Sequence, residues 1–244
     1  ISSYGRDMDG DTGLADLVEN ISKIEGIERI RLGSLEPGII TEEFARRIKA
    51  VDKLCPHFHL SLQSGCDSVL KRMNRKYTCS EYMEKCELLR KVYKNPAITT
   101  DVIVGFPGET EEEFECTRKY LEDINLYEMH IFKYSQRKGT PAATMPNQVD
   151  PSVKNSRSDV LLAISEHNKH AYQDLFVGTT VKVLVEELVE KNGEEYMRGH
   201  TERYMDVHIS TEGITDPQSF KNRIVEVMYE KTTAGEYVGK INRG

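Results

Sequence analysis

Residues 60–75 read LSLQSGCDSVLKRMNR. An apolar, strand-like run passes directly into an amide, Gln63, a hydroxyl, Ser64, and a glycine; a guanidinium, Arg75, follows twelve residues after Gln63. Such groups hold polar ligands: an amide donates and accepts at once, and the planar arginine fork matches a carboxylate. Three further strand-like runs end in similar chemistry. RLGSLEPG offers Ser34 and Glu36, VIVGFPGET offers Gly105 and Gly108 ahead of a capped helix, and HIFKYSQRKGT offers Tyr134 and a polar run. Any one of these turns is ordinary loop chemistry, but four together indicate a shared site. Asp101 stands apart, because a carboxylate inside a β-branched run is costly unless it is hydrogen-bonded or ion-paired. It reads either as the acceptor of a ligand hydroxyl or as half of a structural ion pair. The strand interiors otherwise read as apolar, and Lys71 and Arg72 read as solvated helix residues. GFPGET lacks the lysine and spacing of a phosphate loop, so close backbone approach to a flat, neutral group suits it better.

Parallel strands must carry these ends to one place. Leu14, Leu17, Val18, Ile21 and Ile24 recur at helical spacing, and Gly26 suits the helix end. IERIRLGS reads as a strand; Thr41 caps a helix with Phe44, Ile48 and Val51 on its inner face. HFHLSLQ is the second strand. The pairs Thr78/Glu81 and Thr110/Glu113 are capping boxes, opening helices to about Tyr93 and Asn125 on either side of the strand ITTDVIVGF. EMHIFKYS is the fourth strand. This alternation predicts an α/β fold, a partial (βα) barrel of about four units, with ligands at the strand carboxyl ends. Beyond a proline-rich loop, Asp150 caps and Pro151 starts a long helix. After Gly178 five short runs, TTVKVLVEELVE, EYMRGHT, MDVHIS, RIVEVMYE and EYVGKIN, predict a small antiparallel β-barrel. The expected division is therefore 1–177 and 178–244.

The 244 residues carry a formal net charge of -7 and 30% charged side chains, which gives no overall basic footprint for nucleic acid. Acidic side chains outnumber basic ones after Gly178 as well, so an RNA surface there has to be local: Arg198, His200, Arg203 and Tyr204, or else a charge-mixed solvated loop. No apolar run approaches the length of a bilayer span, so no membrane partner is expected. Cys55, Cys66, Cys79, Cys86 and Cys116 have no short metal or cluster spacing, and reduced thiols in the cytoplasm are expected.

RIRLGSLEP, CPHFHLSLQSGCDSVLKRMNRKYT, TDVIVGFPGETEEEF and FKYSQRKGTPA together resemble the radical S-adenosylmethionine (SAM) methylthiotransferases over residues 1–177. The β-rich remainder resembles the TRAM domain, an RNA-binding module. RLGSLEP and CPHFHLSLQSG are most similar to the MtaB-type branch, which acts on N6-threonylcarbamoyladenosine beside the tRNA anticodon. The resemblance implies that Gln63 and Asp101 hold the ribose of SAM, Arg75 its carboxylate and Glu36 its amino group. By the same resemblance Gly105 brings backbone near the adenine, with Tyr134 on the neighbouring strand, and Ser34 at the first strand end belongs to the same cofactor-binding set. It implies tRNA, bound through its anticodon stem-loop, as partner. It also implies two 4Fe-4S clusters, whose cysteine motifs this sequence lacks. ISSYG resembles the segment after the second barrel strand, so the chain reads as a carboxyl-terminal fragment without its first strands, expected to bind no cluster and to be inactive alone. The isopentenyladenosine and ribosomal-protein branches, and a non-catalytic RNA-binding module, are the other readings.

Overall fold

The computed structural model describes residues 3–5 and 13–241. They form two compact units, dividing between Lys169 and His170. ISSYG falls partly outside the described residues.

The first unit is a three-stranded parallel sheet in the order β1 (His57–His59), β2 (Ala97–Val104), β3 (Glu128–Lys133). Its helices are α1 (Leu14–Ser22), α2 (Glu42–Lys49), α3 (Asp67–Arg72), α4 (Cys79–Val92), α5 (Glu111–Ile124), the short α6 (Pro141–Thr144) and most of α7 (Pro151–Asp174). The caps expected from the sequence are formed. The Thr41 hydroxyl accepts from the Phe44 amide, and both capping boxes, Thr78/Glu81 and Thr110/Glu113, are reciprocal. The Asp150 carboxylate accepts from the Ser152 amide at 2.7 Å at the start of α7.

IERIRLGS does not form the expected strand. It makes one isolated parallel bridge, Ile30 with Leu54, the following Leu35 makes another with Leu60, and the exposed Gly33 and Ser34 interrupt the ladder between them. β1 is likewise short, yet pairing resumes at Gln63, whose amide donates to Asp101 O and whose carbonyl accepts from the Ile103 amide, both at 2.9 Å. Two-residue alternation sorts the sheet. Phe58, Leu60, Leu62, Ile98, Val102, Val104 and Met129 join the helices in one core. The buried Thr100 fastens the same layer, its hydroxyl accepting from the Leu62 amide and donating to Leu60 O.

The second unit holds β4 (Thr180–Lys191), β5 (Glu194–Thr201), β6 (Asp206–Ser210), β7 (Ile224–Lys231) and β8 (Tyr237–Ile241). They close in the order β4-β5-β6-β8-β7. The expectation of a wholly antiparallel barrel is corrected: β6 and β8 run parallel. A closed ring of five strands cannot alternate in direction all the way round, so one pair has to be parallel. Val183, Val185, Met197, Val207, Ile209, Val227 and Tyr229 fill the interior. β4 bulges between Val185 and Glu187, and opposite the bulge a Cβ on Gly199 would lie 1.9 Å from Leu184 O. The end of α7 belongs here because Gln173 donates to the Tyr229 hydroxyl at 3.1 Å and Asp174 accepts from Lys231 and from Tyr237, each at 2.8 Å.

Candidate cofactor site

At the carboxyl ends of β2 and β3 lies a cavity of about 540 Å³ lined by Gln63, Asp101, Ile103, Phe132, Tyr134 and the loop residues that follow. Three residues singled out in the sequence, Gln63, Asp101 and Tyr134, thus meet in one concavity. Gln63 is held at φ 75°, in the left-handed region, by its two hydrogen bonds to β2. A non-glycine residue there costs of order 1–3 kcal/mol, and such strain gathers at ligand sites. The Tyr134 hydroxyl is buried without a hydrogen-bond partner among the described residues, and Phe132 is half exposed on the cavity wall.

The other expected residues lie outside this lining. Arg75 and Glu36 pair with each other at 3.4 Å, both partly exposed. They flank Tyr77, whose hydroxyl donates to Ser61 O and Leu62 O and is pushed up to about 12 by burial. Ser34 is exposed between the two bridges. Gly105 does have a positive φ, but a Cβ there would strike Lys154 Cγ at 2.3 Å, so Lys154 fills the space above it. Its amide donates to the Glu109 carboxylate at 2.7 Å.

Several working groups were not read from the sequence. Arg72 is not a solvated residue: its guanidinium grips the Glu113 carboxylate in a fork, with its Nη1 donating at 2.7 Å, and also donates to Gly108 O, tying α3 to the GFPGET turn. Glu109 is buried and accepts from Arg157 of α7 at 2.7 Å. The strand interiors are not uniformly apolar either. The face opposite the core carries His57, His59, Thr99, Asp101 and His130, and burial lowers the His59 imidazole against the opposing pull of Asp101. The signal was available as the alternation in HFHLS, TTDVI and EMHIF, once the strands are set in register.

Within the second unit, Arg198, His200, Arg203 and Tyr204 gather on the β5–β6 hairpin. The Tyr204 ring, at φ 60°, stacks on His200 at 4.2 Å between centroids and 12° between planes. Acidic neighbours offset the charges: Arg198 pairs with Asp206 and Glu187, His200 with Glu186 and Arg203 with Glu202.

The sequence profile of the Radical SAM superfamily matches residues 1–121. A threonylcarbamoyladenosine tRNA methylthiotransferase MtaB of Bacillus subtilis is 41% identical over 206 residues, 84% of this chain and 46% of that protein. The chain belongs to the radical SAM superfamily. A tRNA-2-methylthio-N(6)-dimethylallyladenosine synthase of Natranaerobius thermophilus is 38% identical, covering 85% of this chain and 46% of its own. The MtaB of Thermotoga maritima is 40% identical, covering 84% and 46%. This radical SAM chain is thus similar over most of its length to tRNA methylthiotransferases, and it spans about half the length of the curated relatives it matches.

Superfamily membership implies SAM and a four-iron cluster. The cavity suits SAM: its volume lies in the ordinary range for a small-molecule pocket, and an amide side chain, Gln63, a carboxylate, Asp101, and an aromatic ring, Tyr134, are among its lining residues. The described cysteines do not suit a cluster. Among the described residues no three bring their sulfurs within 4.8 Å of one another, and burial pushes the Cys86 thiol up to about 12. No helix among the described residues is long and apolar enough to cross a membrane.

Proposed function

We propose that this chain supplies the SAM-binding wall and an RNA-contacting barrel of a tRNA methylthiotransferase. In this reading SAM and the iron–sulfur chemistry, when present, supply the methyl group and the one-electron steps. The thiolates for both clusters come from outside this chain, which is inactive alone. The chain's own residues bind and orient. Asp101 accepts from the ribose hydroxyls, Gln63 hydrogen-bonds the same sugar, and Tyr134 lies beside the adenine. Glu36 and Arg75, now paired with each other, separate to take the amino and carboxylate ends of the methionine moiety. The observation that carries the reading is the meeting of Gln63, Asp101 and Tyr134 in one cavity at the strand carboxyl ends.

The second unit takes the TRAM role, with the stacked His200–Tyr204 pair as a platform for an unpaired base of the anticodon stem-loop. The offset charges suit stacking better than phosphate binding. N6-threonylcarbamoyladenosine is the proposed substrate, supported by the SLEP and CPHF stretches and by the 41% identical relative.

Calorimetry of the full chain with SAM tests the cofactor assignment. Asp101→Asn and Gln63→Ala should each weaken SAM binding at least about tenfold, a loss near 1.4 kcal/mol, with unchanged circular dichroism. Unchanged affinity in both would remove the assignment.

A further inference from the structure

We propose that His59, Asp101 and His130 form a binding site for one divalent first-row transition-metal ion on the face of the parallel sheet opposite the helical core. This goes beyond the SAM reading and shares only Asp101 with it.

The three side chains come from three adjacent strands: His59 ends β1, and Asp101 of β2 lies in register with His130 of β3. Their ligand atoms all lie within 4.8 Å of one another. His59 Nε2 stands 3.4 Å from Asp101 Oδ2. That is long for a charge-assisted N–H···O bond, which prefers about 2.7–2.9 Å. It is the separation of two ligands held at about 2.1 Å around a tetrahedral ion. The imidazole rings of His59 and His130 lie nearly parallel, 24° apart with centroids at 5.7 Å, on the same face of the sheet.

The surroundings fit a ligating histidine. His59 Nδ1 lies 3.0 Å from the Thr99 hydroxyl. With the proton on Nδ1 donated to that hydroxyl, the Nε2 lone pair faces Asp101. A ligating imidazole is commonly oriented in this way by a hydrogen bond from its other nitrogen. His59 and Asp101 are half-buried and fixed by strand pairing, whereas His130 is exposed. Two imidazoles and one carboxylate favour zinc, ferrous iron or cobalt over magnesium and calcium, and they leave coordination positions open. Asp101 also lines the cavity, so water or an oxygen donor of a bound molecule is within reach to complete the shell.

The test uses the chain freed of metal by chelation and titrated with cobalt(II) and zinc(II) under reducing conditions. Visible d–d bands at one cobalt per chain are expected, and zinc should displace the cobalt. His59→Ala and His130→Ala should each abolish the bands or weaken zinc binding at least tenfold, whereas His167→Ala should not. Because His130 is an exposed side chain, its variant tests the site even if His59→Ala folds poorly. Absence of the bands in the wild type, bands that persist in His130→Ala, or sulfur-to-cobalt charge-transfer bands marking thiolate ligation would each overturn the proposal. SAM calorimetry on His130→Ala separates the two readings. Retained SAM affinity with lost metal leaves both standing. A wild type that binds cobalt but not SAM removes the cofactor assignment alone.

Discussion

Glu113 shows how much one side chain can hold. Its carboxylate receives the Arg72 fork and the Ser68 hydroxyl while also closing the capping box of α5. The Arg72 hydrogen bond, with further help from Ser68 and the Thr110 amide, lowers its pKa from the usual 4.5 to about 2, against the opposing effect of burial. Because the folded value is the depressed one, the stabilisation is fully present above about pH 4.5 and is lost as the pH falls toward 2. Urea unfolding of wild type and Glu113→Gln should therefore show a stability gap near neutral pH that narrows steadily below 4.5. A gap of constant size down to pH 2 would show that the pair is not what titrates. Sequence alone identified Glu113 as a capping residue but not as Arg72's partner, because residues 41 positions apart become neighbours only after β2 is laid beside β1. The same limit hid Arg157 from Glu109 and His130 from His59. Gln63 and Asp101 were legible because an amide directly after one apolar run and a carboxylate inside a β-branched run stand out locally.

At the scale of elements, local signals carried far. Both capping boxes, the Thr41 cap and the Asp150–Pro151 helix start are formed where short-range spacing puts them. IERIRLGS misled because its apolar and β-branched content suits a strand while Gly33 and the exposed Ser34 break the ladder, a matter of pairing rather than propensity. The barrel's five strands were legible from their alternation and from turns such as Asn192–Gly193, where both residues have positive φ. Its parallel pair was not, since that follows from closure and not from any one strand. Gly199 reads in the sequence as an unremarkable member of EYMRGHT, yet it faces the backbone of the β4 bulge. Gly199→Ala should destabilise the barrel by about 1–3 kcal/mol or more, as overpacking does, seen as a lowered denaturant midpoint. Gly193→Ala, with open space around its added Cβ, should lose only what its positive φ demands. Equal losses in the two variants would mean that β4 moves aside at Gly199.

At the scale of the whole molecule, the chain holds two units of different construction. One is a layered sheet whose carboxyl ends gather a cavity, and the other is a closed ring of strands presenting a stacked aromatic pair. The ring order also sets a timetable. β4 meets β5 across a two-residue turn, but its other neighbour is β7, and Met228 lies 48 residues after its partner Thr180. At a synthesis rate of roughly 5–20 residues per second, β4 waits roughly 2–10 s for that partner to be made. Throughout that interval one edge of a twelve-residue strand has no neighbour on the nascent chain. A translation-arrest reporter placed at successive lengths should register a pulling force only after β8 has left the ribosome tunnel, and a force appearing once β5 alone is out would show that the hairpin folds without its ring. The barrel's closure thus makes the seconds before its last strand emerges the period in which a newly made chain is most open to mispairing with its neighbours on the same message.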